Sequence, residues 1–135
     1  RLSSSEKALF TAGRKLYGGG AACFSCHGPD GQGQENMGPP LVSSEWVLQS
    51  PERLAKIMLK GMTGPLQVNG KHYNPVMVMP GLGNNRTFDN YDLAAIATYI
   101  RNEWGNRADV VDSKLFKRVR QQSEGQTSVY SAEEL

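Results

Sequence analysis

Five consecutive residues, Cys23-Phe24-Ser25-Cys26-His27, contain both cysteines of the chain and one of its two histidines. Two thiols three positions apart fit on one helical turn, and C-x-x-C-H is the spacing by which a chain attaches a c-type haem. Each sulfur adds across one vinyl group, and the adjoining imidazole of His27 reaches the iron. Two other chemistries use the same residue types. A dithiol redox centre wants a strand before the cysteines and a helix running on after them, whereas Gly18-Gly19-Gly20 precede and Gly28-Pro29-Asp30-Gly31 follow. A zinc site needs a fourth ligand, and the one other histidine is His72.

An iron held by His27 has a second axial position, which a thioether from a distant loop can fill. Met79-Pro80 lies 52 residues beyond His27, in the proline-punctuated run from Tyr73 to Gly81. The following proline biases Met79 towards an extended backbone, which suits a residue reaching out of a loop. Met77, one alternation away and on the same face if the segment is extended, is a second candidate. His72 is a third, giving a bis-histidine iron. Met37, Met58 and Met62 read as core fillers. A neutral, iron-ligating histidine also needs an acceptor for its other ring nitrogen, and the carbonyl of Pro39 or Pro40 can supply one. Arg53, Lys60, Lys71, Trp46 and Tyr73 are candidates for holding the propionates.

The surrounding sequence supplies elements to position these residues. Ser3-x-x-Glu6 is a capping box, and Leu9, Phe10, Gly13, Leu16 and Tyr17 recur at helical spacing until Gly18. Seven glycines between positions 18 and 38 let the backbone pass close to a flat cofactor. Ser43 or Ser44 caps a short helix through Trp46 and Leu48. Ser50-Pro51-Glu52 starts a clearer helix, with Leu54, Ile57 and Met58 on one face and Gly61 as terminator. Asn69-Gly70 predicts a small hairpin over Leu66–Tyr73. Thr87 or Asp89 leads into a helix over about 90–104, striped by Leu93, Ile96, Ala97, Ile100 and Trp104. Asp112 or Ser113 caps a last amphipathic helix with Leu115, Phe116 and Val119. Residues 121–135 are polar and are expected to drape over the surface or be partly disordered.

Composition sets the limits. The length of 135 residues fits one domain, yet the chain is 39% hydrophobic and 22 of its residues are Gly or Pro. With a mean hydropathy of −0.48 it looks short of core for its size. A porphyrin would fill that volume, with Phe10, Leu41, Ile57, Met79 and Ile96 packed against it. A net charge of +2 is too small to argue for nucleic acid. The longest apolar run, residues 94–100, is too short to cross a bilayer, and two cysteines rule out a disulfide scaffold. The chain opens at Arg1 with no leader and closes in Ser131–Leu135, so a domain of a longer polypeptide is expected.

Taken in order, these residues resemble a class I c-type cytochrome, over roughly residues 6–120. Gly13 with Tyr17, and Tyr99 within Leu93–Trp104, match the family's crossing of N- and C-terminal helices. Cys26-His27-Gly28-x-Asp30-Gly31-x-Gly33, Pro39-Pro40-Leu41, Tyr73-Asn74, Met79-Pro80 and Ala95-x-x-x-Tyr99-Ile100-Arg101-Asn102-x-Trp104-Gly105-Asn106 are similar to a bacterial subgroup. That subgroup is fused to, or docks on, redox enzymes such as quinoprotein dehydrogenases and copper nitrite reductases. Met77 departs from the family's small residue or valine before Met-Pro. The resemblance implies an all-α fold of three to five helices around one covalent haem c, with a small hairpin before the methionine-ligand loop. It implies a cytochrome domain over 1–120 and an extension over 121–135. It makes Cys23 and Cys26 the attachment points, His27 and Met79 the iron ligands and Pro39 the carbonyl behind His27.

With both axial positions filled, the implied activity is one-electron transfer rather than catalysis, relaying electrons between a redox enzyme and a respiratory partner. The competing reading is a peroxidase-like or ligand-sensing haem with a labile sixth ligand. Di-haem peroxidases would need a second C-x-x-C-H, which the sequence lacks. Two propionates and a ferric core change the net charge by about −1, leaving little electrostatic steering. The resemblance also implies an exported bacterial protein, in the periplasm or on the outer face of the inner membrane, its leader removed upstream.

Overall fold

The computed structural model describes all 135 residues. Its first helix, α1 (Ser4–Tyr17), begins as the sequence predicts. The Ser3 hydroxyl accepts the Glu6 amide at 3.2 Å, and the Glu6 carboxylate accepts the Ser3 amide at 2.8 Å. Two single turns follow, α2 (Phe24–His27) and α3 (Glu45–Leu48), the latter capped by Ser44. Helix α4 (Pro51–Lys60) has its Arg53 amide bonded to the Ser50 hydroxyl and stops at Gly61. Helix α5 (Asn90–Ile100) starts at a second capping box, between Asp89 and Asp92. Helix α6 (Ser113–Gln122) is capped by Asp112. The four longer helices make the fold all-α, as expected, with the two single turns between α1 and α4.

The longest-range packing joins α1 to α5. A Cβ on Gly13 would overlap the Ala95 carbonyl oxygen and lie 2.7 Å from the Tyr99 Cβ, so only glycine permits this crossing. Every residue from Leu93 to Ile100 is buried, because α1, α4 and α6 cover α5 from several sides. The helix ends four residues short of the sequence range. Trp104 turns out with φ 56°, sets its indole against Gly31 and donates Nε1–H to the Pro29 carbonyl at 3.1 Å. Phe10, Tyr17, Tyr99 and Trp104 form a ring cluster with centroids 5.2 to 5.5 Å apart.

Four short strands complete the fold. Strands β2 (Leu66–Val68) and β3 (Lys71–Tyr73) pair Leu66 with Tyr73, Gln67 with His72 and Val68 with Lys71. Their turn places Asn69 and Gly70 at positive φ, as a two-residue hairpin loop requires. Strand β1 (Gly61–Met62) pairs with β4 (Met79–Pro80), Gly61 opposite Pro80 and Met62 opposite Met79. A second, smaller core of Ile57, Met62, Leu66 and Val68 lies beside this pair. The segment after α6 runs back to β1, where Tyr130 is buried and forms a parallel bridge with Met62. No helix is long and apolar enough to cross a membrane.

Candidate haem site

The C-x-x-C-H segment forms the turn α2, with Cys23 at its N-terminal cap in helical conformation. The Tyr17 hydroxyl donates to the Gly28 carbonyl at 2.6 Å and so ties the end of this turn to α1. Both cysteines are free thiols and half-buried. Burial pushes the Cys23 thiol up to about 11, which keeps it protonated at neutral pH.

His27 is buried, and its Nδ1 lies 2.8 Å from the Pro39 carbonyl oxygen. A carbonyl can only accept, so Nδ1 carries the proton and Nε2 keeps its lone pair. Burial holds the imidazole below its ordinary pKa, outweighing the hydrogen bond to Pro39, and this favours the neutral ring a metal needs. Nε2 has no hydrogen-bond partner. Gly38 makes the contact possible: a Cβ there would fall 3.0 Å from Nδ1 and 2.9 Å from the Cys26 carbonyl oxygen. Pro39, not Pro40, is therefore the residue whose carbonyl meets the ring.

The segment carrying Pro39 is fixed from behind. Leu41 and Val42 donate their amides to the Gly31 carbonyl at 2.8 and 3.1 Å. Asn106 is buried beyond α5, where its Nδ2 donates to the carbonyls of Leu41 and Ile100 and its Oδ1 accepts the Ser43 amide. Sequence reasoning saw Asn106 only as part of a motif. Its place after Trp104-Gly105, where the helix has ended, was the available signal for a capping role.

His27 and both cysteines line a cavity of about 280 Å³, walled chiefly by hydrophobic side chains including Leu41, Val47, Leu54, Ile57, Ile96 and Ile100. Met79 and Met77 line it too, from the loop before and within β4. Met79 is partly buried and packs on the small core beside Met62, whereas Met77 is 54% exposed. His72 is exposed on β3, 3.4 Å from the Gln67 amide nitrogen, and does not line the cavity.

One expectation needs correction. Phe10 packs on Tyr99, not in the cavity, because its face of α1 turns to α5. Of the propionate candidates only Trp46 lines the cavity, and its indole N–H is committed to the Gln67 carbonyl at 2.7 Å. The Arg53 guanidinium stacks over Trp46 at 4.2 Å and the Lys71 ammonium sits over Tyr73 at 5.4 Å. Arg53, Lys60, Lys71 and Tyr73 all lie outside the cavity.

The donor set fits a porphyrin. Two free thiols and a neutral imidazole with an unused lone pair lie against an apolar cavity, with thioethers from another segment. Nowhere do three or more His, Cys, Asp or Glu side chains gather to hold an ion, so the zinc alternative finds no cluster. Helices packed around such a cavity, with the attachment motif on its wall, define a haem-carrying electron-transfer domain. The sequence profile of the family "Cytochrome c" matches residues 10–104, and the chain belongs to that family. It is similar to cytochrome c-552 of Thermus thermophilus, 30% identical over 108 residues that cover 77% of this chain and 76% of the relative. A second cytochrome c-552, from a named strain of Thermus thermophilus, is also 30% identical over 108 residues, which cover 77% of this chain and 68% of that protein. The family carries one covalent c-type haem with iron and serves haem-based electron transfer, acting with redox partners.

Proposed function

We propose that this chain is a mono-haem electron carrier in which Cys23 and Cys26 attach the haem and His27 and Met79 are the axial ligands. The observation that carries this reading is the 2.8 Å contact between His27 Nδ1 and the Pro39 carbonyl oxygen, which leaves Nε2 as the free donor in an apolar cavity. When bound, the haem supplies the Fe(III)/Fe(II) couple. Pro39 fixes the tautomer and orientation of His27 and makes Nε2 a better electron donor. Met79 offers a thioether from a backbone held by β1. The apolar walls keep water out and disfavour net charge, which supports a raised potential.

Were His27 and Met79 both to hold the iron, neither would leave room there for a substrate, and the chain would act as a carrier and not a catalyst. The carrier would relay electrons between a redox enzyme of dehydrogenase or nitrite reductase type, docked or fused, and a respiratory partner. It would work in an exported, periplasmic setting, and residues 1–120 would form the cytochrome domain.

Absorption spectroscopy of the haem-loaded protein tests the ligand set. A low-spin ferric spectrum with the weak far-red sulfur-to-iron band is expected, lost in Met79→Ala and kept in Met77→Ala. A high-spin spectrum, or loss of the band only in Met77→Ala, would overturn the assignment.

A further inference from the structure

We propose that the segment 123–135 is a strap that positions Met79 from the far side of β1, an inference that rests on the Met79 ligation proposed above. Strands β1 and β4 have two residues each, and so short a pair does not hold itself together. The other edge of β1 is occupied. The Tyr130 amide donates to the Gly61 carbonyl at 3.0 Å, and the Thr63 amide donates to the Tyr130 carbonyl at 2.8 Å. Strand β1 is thus the middle of three segments, with Met79 on one side and Tyr130 on the other.

The side chains follow the same arrangement. Ala132 and Leu135 pack on the core of Ile57, Met62, Leu66 and Val68, the same group against which Met79 packs. The three segments converge at Gly61, whose φ is 86°. A Cβ there would fall 2.8 Å from the Gly81 amide nitrogen and 3.0 Å from Val129 Cγ1, and would overlap the Met79 carbonyl oxygen. The strap starts at the end of α6, where the buried Ser123 hydroxyl donates to the Val119 carbonyl at 2.8 Å, and it closes in a turn of its own, where the Ser131 amide donates to the Glu134 carboxylate at 2.8 Å. No residue of the strap lines the cavity, so its action on the ligand passes through β1 and the shared core. It also lies outside the residues 10–104 matched by the family profile, so the device belongs to this chain's extension.

The test is imidazole binding to the ferric, haem-loaded protein, read by loss of the far-red sulfur-to-iron band. Three variants are compared with the full chain: truncation after Gly125, Tyr130→Pro, which removes the amide that bonds the Gly61 carbonyl, and Phe10→Leu, which loosens the α1–α5 packing away from the strap. Truncation and Tyr130→Pro are expected to raise imidazole affinity about tenfold, equivalent to about 1.4 kcal/mol, because a freed β4 releases its methionine more easily. Phe10→Leu is expected to lower global stability and leave that affinity unchanged. If truncation fails to fold, Tyr130→Pro decides. Unchanged affinity in Tyr130→Pro, or an equal rise in Phe10→Leu, would overturn the strap while leaving the ligand set standing. Absence of the band from the full chain would overturn the Met79 reading and the strap together.

Discussion

Replacing Asn106 by leucine keeps the side chain's approximate bulk and removes all its polar contacts. Asn106 is 5% exposed and satisfies three backbone groups: the Ile100 carbonyl at 2.8 Å, the Leu41 carbonyl at 3.0 Å and the Ser43 amide at 2.8 Å. The bond to Ile100 is fully buried, so its loss leaves an unpaired carbonyl at a cost of about 1–3 kcal/mol. The other two are partly buried and can regain water, at a net cost of about 0.5–1.5 kcal/mol each. The expected loss is about 4 kcal/mol, or roughly 14 °C in Tm for a chain of this length. Guanidinium unfolding of the haem-loaded protein, followed by helical circular dichroism, measures it. The covalent haem stays on the chain in both states, so its dissociation does not enter the equilibrium. Asn106→Asp keeps an acceptor for Ser43 but sets a carboxylate against two carbonyls, so it is expected to cost at least as much as leucine. A loss below about 0.5 kcal/mol in Asn106→Leu would show that these groups find other partners and that Asn106 does not hold the Pro39 segment to α5.

Gly13→Ala places a methyl group on the Ala95 carbonyl oxygen, and the helices must separate to admit it. A loss of at least about 3 kcal/mol is expected by chemical denaturation, and a change under about 1 kcal/mol would refute so close a crossing. At the capping box, the Ser3 amide first and the Ser3 hydroxyl second hold the Glu6 carboxyl below its ordinary value of 4.5. Its contribution to α1 is present above the unfolded-state pKa and is lost as pH falls through the lowered folded-state value. An NMR titration is expected to show Glu6 below 4.5, with Ser3→Ala moving it part of the way back, and a midpoint at or above 4.5 in the parent chain would contradict the cap.

The features that the sequence revealed are those with local causes. Ser3 with Glu6, Ser50 before Pro51, and Asn69-Gly70 each act within four residues, and each forms the expected cap or turn. The cysteine and histidine spacing of α2 is equally local, so the haem motif was plain before any fold was known. The end of α5 was not legible, because Trp104 leaves the helix to meet Gly31 and Pro29, both far away in sequence. The pairing of β1 with β4 was invisible for a different reason: two residues carry no alternation to detect. Charge alone marks Lys60, Lys71 and Arg53 as propionate candidates, and charge does not say where a side chain points; Arg53 lies over Trp46, which itself lines the cavity. Helical spacing likewise marked Phe10 for burial without saying against what. Met77 and Met79 would share one face of an extended segment, so spacing could not rank them. Only the pairing with Met62 and the difference in exposure separate them.

The crossing of α1 and α5 also governs the order of events as the chain is made. Helix α1 has 14 residues, too few for a stable helix in water without its partner, and that partner begins at Asn90. The cavity walls Leu54, Ile57, Ile96 and Ile100 likewise follow Cys23–His27 in the chain. The thiols thus precede the last walls of their cavity by some 70 residues of chain, and those walls close only when α5 docks on α1. Until that docking the segment is expected to stay open to whatever must reach both sulfurs and the imidazole at once. The long sequence separation that slows folding therefore holds open the time window for modification.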